Sequence, residues 1–209
     1  MKILIIGDSH VEEMIAGHIF TEVDYELTEA WTQKRTGRAS KHIYKKYMKF
    51  NKNEVEVGLC RDSATAYNIS FDLIYDLESY NNSENHCFFL LGTNDTALMD
   101  HYPDVDDTTR SYITKILSKL DKTNIHIMYS IKSAFFENQS YHKFCKSLSK
   151  TCEKFDLHDP VDMSGVLIDL DFTDTRNFQD QRHLHTNLYV QALNNIIKMV
   201  KDGWNGEYT

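Results

Sequence analysis

Three polar clusters along the 209-residue chain hold residue types that could do chemistry together: Gly7-Asp8-Ser9-His10, Gly92-Thr93-Asn94-Asp95 and Asp180-Gln181-Arg182-His183-Leu184. A serine hydroxyl is almost wholly protonated at neutral pH. It becomes a nucleophile only beside a base held in the correct tautomer. His183 is the candidate base for Ser9. Asp180, three residues earlier, can accept the other imidazole N–H and stabilise the imidazolium once it forms. Attack on an acyl carbon creates an oxyanion, which needs donors already aimed at it. The Ser9 amide, the amide of a glycine after the second strand and the Asn94 side-chain NH2 are suitable donors.

These residues must be carried to one place by elements far apart in the chain. Apolar, β-rich runs at Lys2–Ile6, Glu54–Val57, His86–Leu91, Ile125–Tyr129 and Val166–Leu170 predict five strands, mostly apolar throughout as buried parallel strands are. Tyr25–Thr28 is a weaker candidate for a further edge strand. Helical patterns lie between them at Val11–Thr21, Lys41–Phe50, Asp62–Tyr80, Asp106–Asp121, Asn138–Phe155 and Leu184–Lys201. In the last, Leu184, Leu188, Ala192, Ile196 and Val200 recur at near-helical spacing as one buried stripe. Alternating strand and helix predicts a three-layer α/β/α sandwich around a parallel sheet with right-handed crossovers. Only 2 prolines and 8 glycines interrupt the chain, and no repeat or linker divides it. Residues 1–209 therefore read as one domain, with 202–209 as a frayed tail. Open sheets of this kind place their sites at the carboxyl edge, and Ser9 follows the first strand at that edge.

Composition removes several classes of function. The chain is 41% apolar and 26% charged, with no apolar run near the ~18 residues of a membrane span. The amino terminus enters a strand directly, so no secretory signal is expected. Cys60, Cys87, Cys145 and Cys152 form no CxxC pair, which fits reduced thiols and a cytoplasmic location. A net charge of −8 argues against a nucleic-acid partner.

Taken singly, each cluster has a plainer explanation. Ser9 and Glu12 form an S-x-x-E capping box, Asn94-Asp95 suits a turn, and Asp180 could cap the last helix. Their joint order has a better one: over essentially its full length the chain resembles the SGNH hydrolases, the GDSL-type lipase/esterase superfamily. The family's GDS block is matched by Gly7-Asp8-Ser9, its GxND block by Gly92-Thr93-Asn94-Asp95, and its DxxH block by Asp180 to His183. The resemblance implies a flavodoxin-like sheet of five parallel strands and a cofactor-free Ser9–His183–Asp180 triad. It also implies an oxyanion hole of Ser9, Gly58 and Asn94. The second block departs from the family's G-x-S-G-D pattern: Gly58-Leu59-Cys60-Arg61-Asp62-Ser63 keeps the first glycine, but Arg61 stands where another is common. Gly37 competes with Gly58 for the oxyanion role. The implied substrate is a small-molecule or carbohydrate ester of a short acyl group such as acetate. Thioesterase and acyltransferase chemistry also occur in the family.

Two rival readings come from other classes. Asp8-Ser9-His10 and His183-Leu184-His185 match the D-x-H and H-x-H ends of a metallophosphoesterase, with Asp8, His10, His183 and His185 as metal ligands. The bridging aspartate and GNH block of such enzymes are missing from the middle of the chain. The other rival is a non-catalytic binding module of the same fold.

Overall fold

Strand β1 (Ile3–Gly7) is buried at all five positions and forms the spine of a parallel sheet. The computed structural model describes residues 3–11, 13–14, 25–33, 43–50, 55–57, 59–60, 80–90, 92–96, 105–129, 139–160, 163–167, 169–180 and 182–203. Among them, β1 pairs in parallel with β5 (Leu59–Cys60) on one side and β6 (His86–Leu90) on the other. Strand β7 (Asn124–Met128) extends the sheet beyond β6, giving the order β5-β1-β6-β7. Leaving β1, the chain adds β5 on one side and then β6 on the other. The carboxyl end of β1 is thus the topological switch point, where crossovers diverge and leave a crevice.

Alternation along the strands divides the core. Ile3, Ile5, Phe88, Leu90 and Met128 face one side, against the long helix near the carboxyl terminus, Thr186–Lys201. Leu4, Ile6, Cys87, Phe89, Ile125 and Ile127 face the other, against helices α1 (Val105–Leu117) and α2 (Gln139–Lys154). Helix α2 contributes Phe144, Leu148 and Cys152, one per turn. The expected stripe appears on the carboxyl-terminal helix, where Ala192, Ile196 and Val200 are buried, Leu184 is buried just before it and Leu188 packs against the core.

Several expected elements take another form. Lys41–Phe50, expected as a helix, is instead strand β3 (Ile43–Phe50). It pairs antiparallel with β2 (Tyr25–Gln33) and with β4 (Val55–Val57). The apolar spacing in this segment fits a helix, but Ile43, Tyr44, Tyr47 and Phe50 also favour strand, and two antiparallel partners decide the matter. The weak Tyr25–Thr28 strand is longer than expected and lies at the edge of this second sheet. Val166–Leu170 is not a strand: helix α3 (Met163–Val166) occupies its start, and Leu170 N–H closes a turn on Leu167 C=O at 2.9 Å. Met163, Val166 and Leu167 share one helical face and are all buried, which a β conformation would undo. The parallel sheet therefore has four strands among the described residues. The helix expected at Asp62–Tyr80 lies outside them, Tyr80 excepted. Cys87, Cys145 and Cys152 form no disulfide. No described helix is long and apolar enough to cross a membrane.

Candidate active site

The first turn of the site is built by the residues around Ser9. A Cβ on Gly7 would lie 2.3 Å from Val11 Cγ2 and 2.4 Å from the Leu90 carbonyl oxygen. Glycine therefore lets the chain fold back tightly over β6. Asp8, fully buried, accepts the His10 N–H at 3.0 Å and caps the helical turn that opens at Ser9. Capping thus belongs to Asp8 rather than to Ser9. The Ser9 hydroxyl points away, to His183; Glu12, its expected capping partner, lies outside the described residues.

The second turn follows β6. Gly92 has φ +133°, and a Cβ there would lie 2.3 Å from Phe144 Cε1. Both facts demand glycine. Thr96 N–H bonds the Gly92 carbonyl at 2.8 Å, so residues 93–96 form a helical turn with Asn94 half-buried in its opening. Because Gly7 is paired with Leu90, the turns bearing Ser9 and Asn94 leave neighbouring strands at the same level.

The third piece is a tight loop before the carboxyl-terminal helix, here α4 (Thr186–Lys201). Phe178 and Leu184, both buried, form an antiparallel bridge. Gln179 N–H meets the His183 carbonyl at 2.9 Å and His185 N–H meets that of Asn177 at 3.0 Å. Within this loop the Asp180 carboxylate does two things. Oδ1 accepts the backbone N–H groups of Arg182 at 2.6 Å and His183 at 2.7 Å. Oδ2 accepts from His183 Nδ1 at 2.8 Å. The D-x-x-H spacing is thus the spacing of one turn whose own carboxylate holds both its backbone and its imidazole. Burial works against this carboxylate's charge, but the bonds from the His183 ring and the two amides outweigh it and pull its pKa down to about 2. Across the crevice, His183 Nε2 lies 2.8 Å from Ser9 Oγ, a contact between residues 174 apart in the chain.

No protein-family model matches the sequence, and no curated protein is similar to it in sequence. Solved structures do match. The chain is similar to an acetyl xylan esterase, AlAXEase, at 13% identity and TM-score 0.60, over 96% of this chain and 100% of that one. It is similar to the esterase EstA of a Pseudoalteromonas species at 14% identity and TM-score 0.60, over 98% of each chain. A GDSL-like lipase of Bacteroides thetaiotaomicron matches at 12% identity and TM-score 0.58, over 97% of this chain and 87% of that one. The chain has the SGNH hydrolase fold.

On this SGNH fold, Ser9, His183 and Asp180 meet in one line of hydrogen bonds. Gly58, its competitor Gly37 and Arg61 lie outside the described residues. Parallel pairing with β1 begins only at Leu59, past Gly58; Val55–Val57, expected as the parallel strand before that glycine, pairs antiparallel with β3 in the second sheet instead. Phe178 belongs to the core, and Phe172 packs partly against it. The metallophosphoesterase ligands do not assemble. Both His10 nitrogens are bonded to hydroxyls, His183 is engaged by Ser9 and Asp180, and His185 is exposed. Among the described residues no three histidine, cysteine or acidic side chains are grouped to hold a metal. Sequence reasoning missed Tyr189 and Thr93, which bind His10 directly behind Ser9. A signal for Tyr189 was present: one phenol in an otherwise aliphatic stripe needs a polar partner inside the core.

Proposed function

We propose that this chain is a serine esterase that removes a short acyl group, such as acetate, from an ester through an acyl-enzyme. The observation that carries this reading is the line Ser9 Oγ–His183 Nε2, 2.8 Å, and His183 Nδ1–Asp180 Oδ2, 2.8 Å, at the switch point of the sheet. Ser9 Oγ attacks the acyl carbon while His183 Nε2 takes its proton. Collapse of the tetrahedral species expels the alcohol, which leaves with that proton. A water then gives its proton to His183 and attacks the acyl-serine, releasing the acid and restoring Ser9. Asp180, ionised throughout, fixes the Nδ1–H tautomer and offsets the imidazolium charge.

The oxyanion is assigned to the Ser9 N–H and the Asn94 side-chain amide, with a glycine amide, Gly58 or Gly37, as third donor. First-turn N–H groups lack partners within their own helix, which suits Ser9 N–H to this task. Similar structures include an acetyl xylan esterase and an acetyl-xylooligosaccharide esterase. Acetylated oligosaccharides are therefore the first natural substrates to test. A fluorophosphonate probe, followed by mapping of the adduct, is the direct experiment. Modification of Ser9 that Ser9→Ala abolishes supports the reading, and a protein that neither labels nor hydrolyses acetyl esters overturns it.

A further inference from the structure

Each of the three candidate catalytic segments has a chain neighbour that turns inward instead of toward the crevice. His10 follows Ser9, Leu184 follows His183, and Thr93 precedes Asn94. All three are buried, with exposures of 1%, 0% and 8%. Leu184 and His10 both bond Tyr189, a fully buried side chain in the first turn of α4, and Thr93 joins them through His10. Leu184 N–H donates to Tyr189 Oη at 3.2 Å. Tyr189 Oη lies 2.5 Å from His10 Nδ1, and His10 Nε2 lies 2.9 Å from Thr93 Oγ1.

Donor accounting fixes the direction of these bonds. The phenol keeps its proton, because burial raises the tyrosine above its ordinary range. Leu184 N–H already fills one of its lone pairs, and among the described residues the acceptor within reach of the phenolic hydrogen is His10 Nδ1. Nδ1 is then unprotonated. His10 is neutral, since burial, with the nearby His183 and Arg182, pushes it down to about 3. Its single hydrogen therefore sits on Nε2 and is donated to Thr93. The chain runs Leu184 N–H to Tyr189, Tyr189 to His10, and His10 to Thr93.

We infer that His10 is a positioning residue, the centre of a buried relay through Tyr189 and Thr93 that ties the nucleophile, base and amide-donor segments together. This rests on the esterase reading for what the positioning serves. The Ser9–His183 bond joins elements with no short covalent link between them, and a displacement of about 1 Å in such a constellation costs roughly 10²-fold in rate. The relay supplies the missing restraint one residue behind each reacting group, without touching substrate.

The experiment separates a shared relay from three local contacts. Tyr189→Phe and Thr93→Val each cut one link while preserving shape. Each is expected to lower kcat on a chromogenic acetyl ester about 10-fold, with KM within about 2-fold. Thr93→Ser, which keeps the hydroxyl, is expected to stay near wild type. Because either cut breaks the same chain, the double variant should fall about 10- to 20-fold rather than the roughly 100-fold product. Single variants within 2-fold of wild type, a multiplicative double variant, or a Thr93→Ser as poor as Thr93→Val would each overturn the relay. A second measurement does not depend on turnover: side-chain 15N–1H correlation spectra of wild type should show His10 as the Nε2–H tautomer between pH 5 and 8. An Nδ1–H tautomer would overturn the inference even in an active esterase. Absence of labelling and turnover in wild type would overturn the esterase reading and leave this spectrum unchanged.

Discussion

Replacing Asp180 by asparagine is the sharpest perturbation of the site, because the loop dictates which way the new amide must point. Oδ1 is held by two backbone donors, Arg182 N–H at 2.6 Å and His183 N–H at 2.7 Å. An asparagine oxygen keeps both bonds. The opposite orientation would aim NH2 at two N–H groups and forfeit hydrogen bonds worth about 1–3 kcal/mol. The amide NH2 therefore takes the place of Oδ2, 2.8 Å from His183 Nδ1. A donor at that position demands a lone pair on Nδ1, so the imidazole hydrogen moves to Nε2. Nε2 then faces Ser9 Oγ as a donor and cannot take its proton. Inverting the tautomer while leaving geometry intact costs about 10³–10⁴ in kcat, or about 4–5.5 kcal/mol of barrier.

The comparison with alanine makes this decisive. Asp180→Ala loses the charge and both backbone contacts but leaves the imidazole free to choose its tautomer. Asparagine, the closer mimic in shape, is therefore expected to be no more active than alanine. The assay is kcat on a chromogenic acetyl ester, with the rate of fluorophosphonate labelling as a second readout and circular dichroism as the control for folding. A folded Asp180→Asn protein within about 10-fold of wild type, or clearly faster than Asp180→Ala, would refute the tautomer argument.

Asn94→Ala should lower kcat by roughly 10²–10³, the scale for one oxyanion donor, and an unchanged kcat would remove Asn94 from the hole. Gly92→Ala should destabilise by at least about 2 kcal/mol, from φ +133° and the 2.3 Å approach to Phe144, lowering Tm by about 4–8 °C. Adding Phe144→Ala should restore none of the backbone strain, so a full rescue would refute it. With Asp180 pulled to about 2 and His10 pushed to about 3, neither changes charge above pH 5. Neither should therefore contribute to the dependence of kcat/KM on pH there, and a slope of two would show that His10 titrates. His126 is also pushed down to about 3, by burial and then by His86 and His158. An unfolded histidine takes its proton near about 6.5, so between these values the unfolded chain binds more protons and acid favours unfolding. Tm should fall as pH drops from 6.5 to 4, less steeply in His126→Phe; identical slopes would refute the assignment.

What the sequence made legible follows from how locally each feature is determined. The GDS, GxND and DxxH clusters are turns whose residues act on their own neighbours: Gly7 and Gly92 clear space, Asp8 caps, and Asp180 folds onto the two amides that follow it. Such features survive in linear sequence. The buried strands β1, β6 and β7 were legible because they are apolar on both faces. The ribbon β2–β3 was not, since Ile43–Phe50 has an apolar spacing that fits a helix as well, and only its partners select the strand. Met163–Leu167 failed the other way: a short apolar run does not tell a buried helical turn from a buried strand. The relay through Tyr189 was hidden for a deeper reason. Thr93 and Tyr189 lie 83 and 179 residues from His10, and all three are unremarkable singly, so their meaning exists only once the sheet has brought them together.

Two imidazoles lie with ring centroids 5.1 Å apart at this site, and they are given opposite fates. His183 is half-buried and its partner carboxylate is 54% exposed, as the proposed proton transfer from Ser9 requires. His10 is sealed. Were His10 to carry a charge, the imidazolium that must form on His183 would meet a like charge at about 5 Å, costing about 3 kcal/mol at an effective dielectric of about 20, or more than a hundredfold in rate. A histidine beside the nucleophile is therefore compatible with acyl transfer only while it stays neutral. Burial keeps it so, and the phenolic hydrogen of Tyr189 occupies the nitrogen that would otherwise accept the proton.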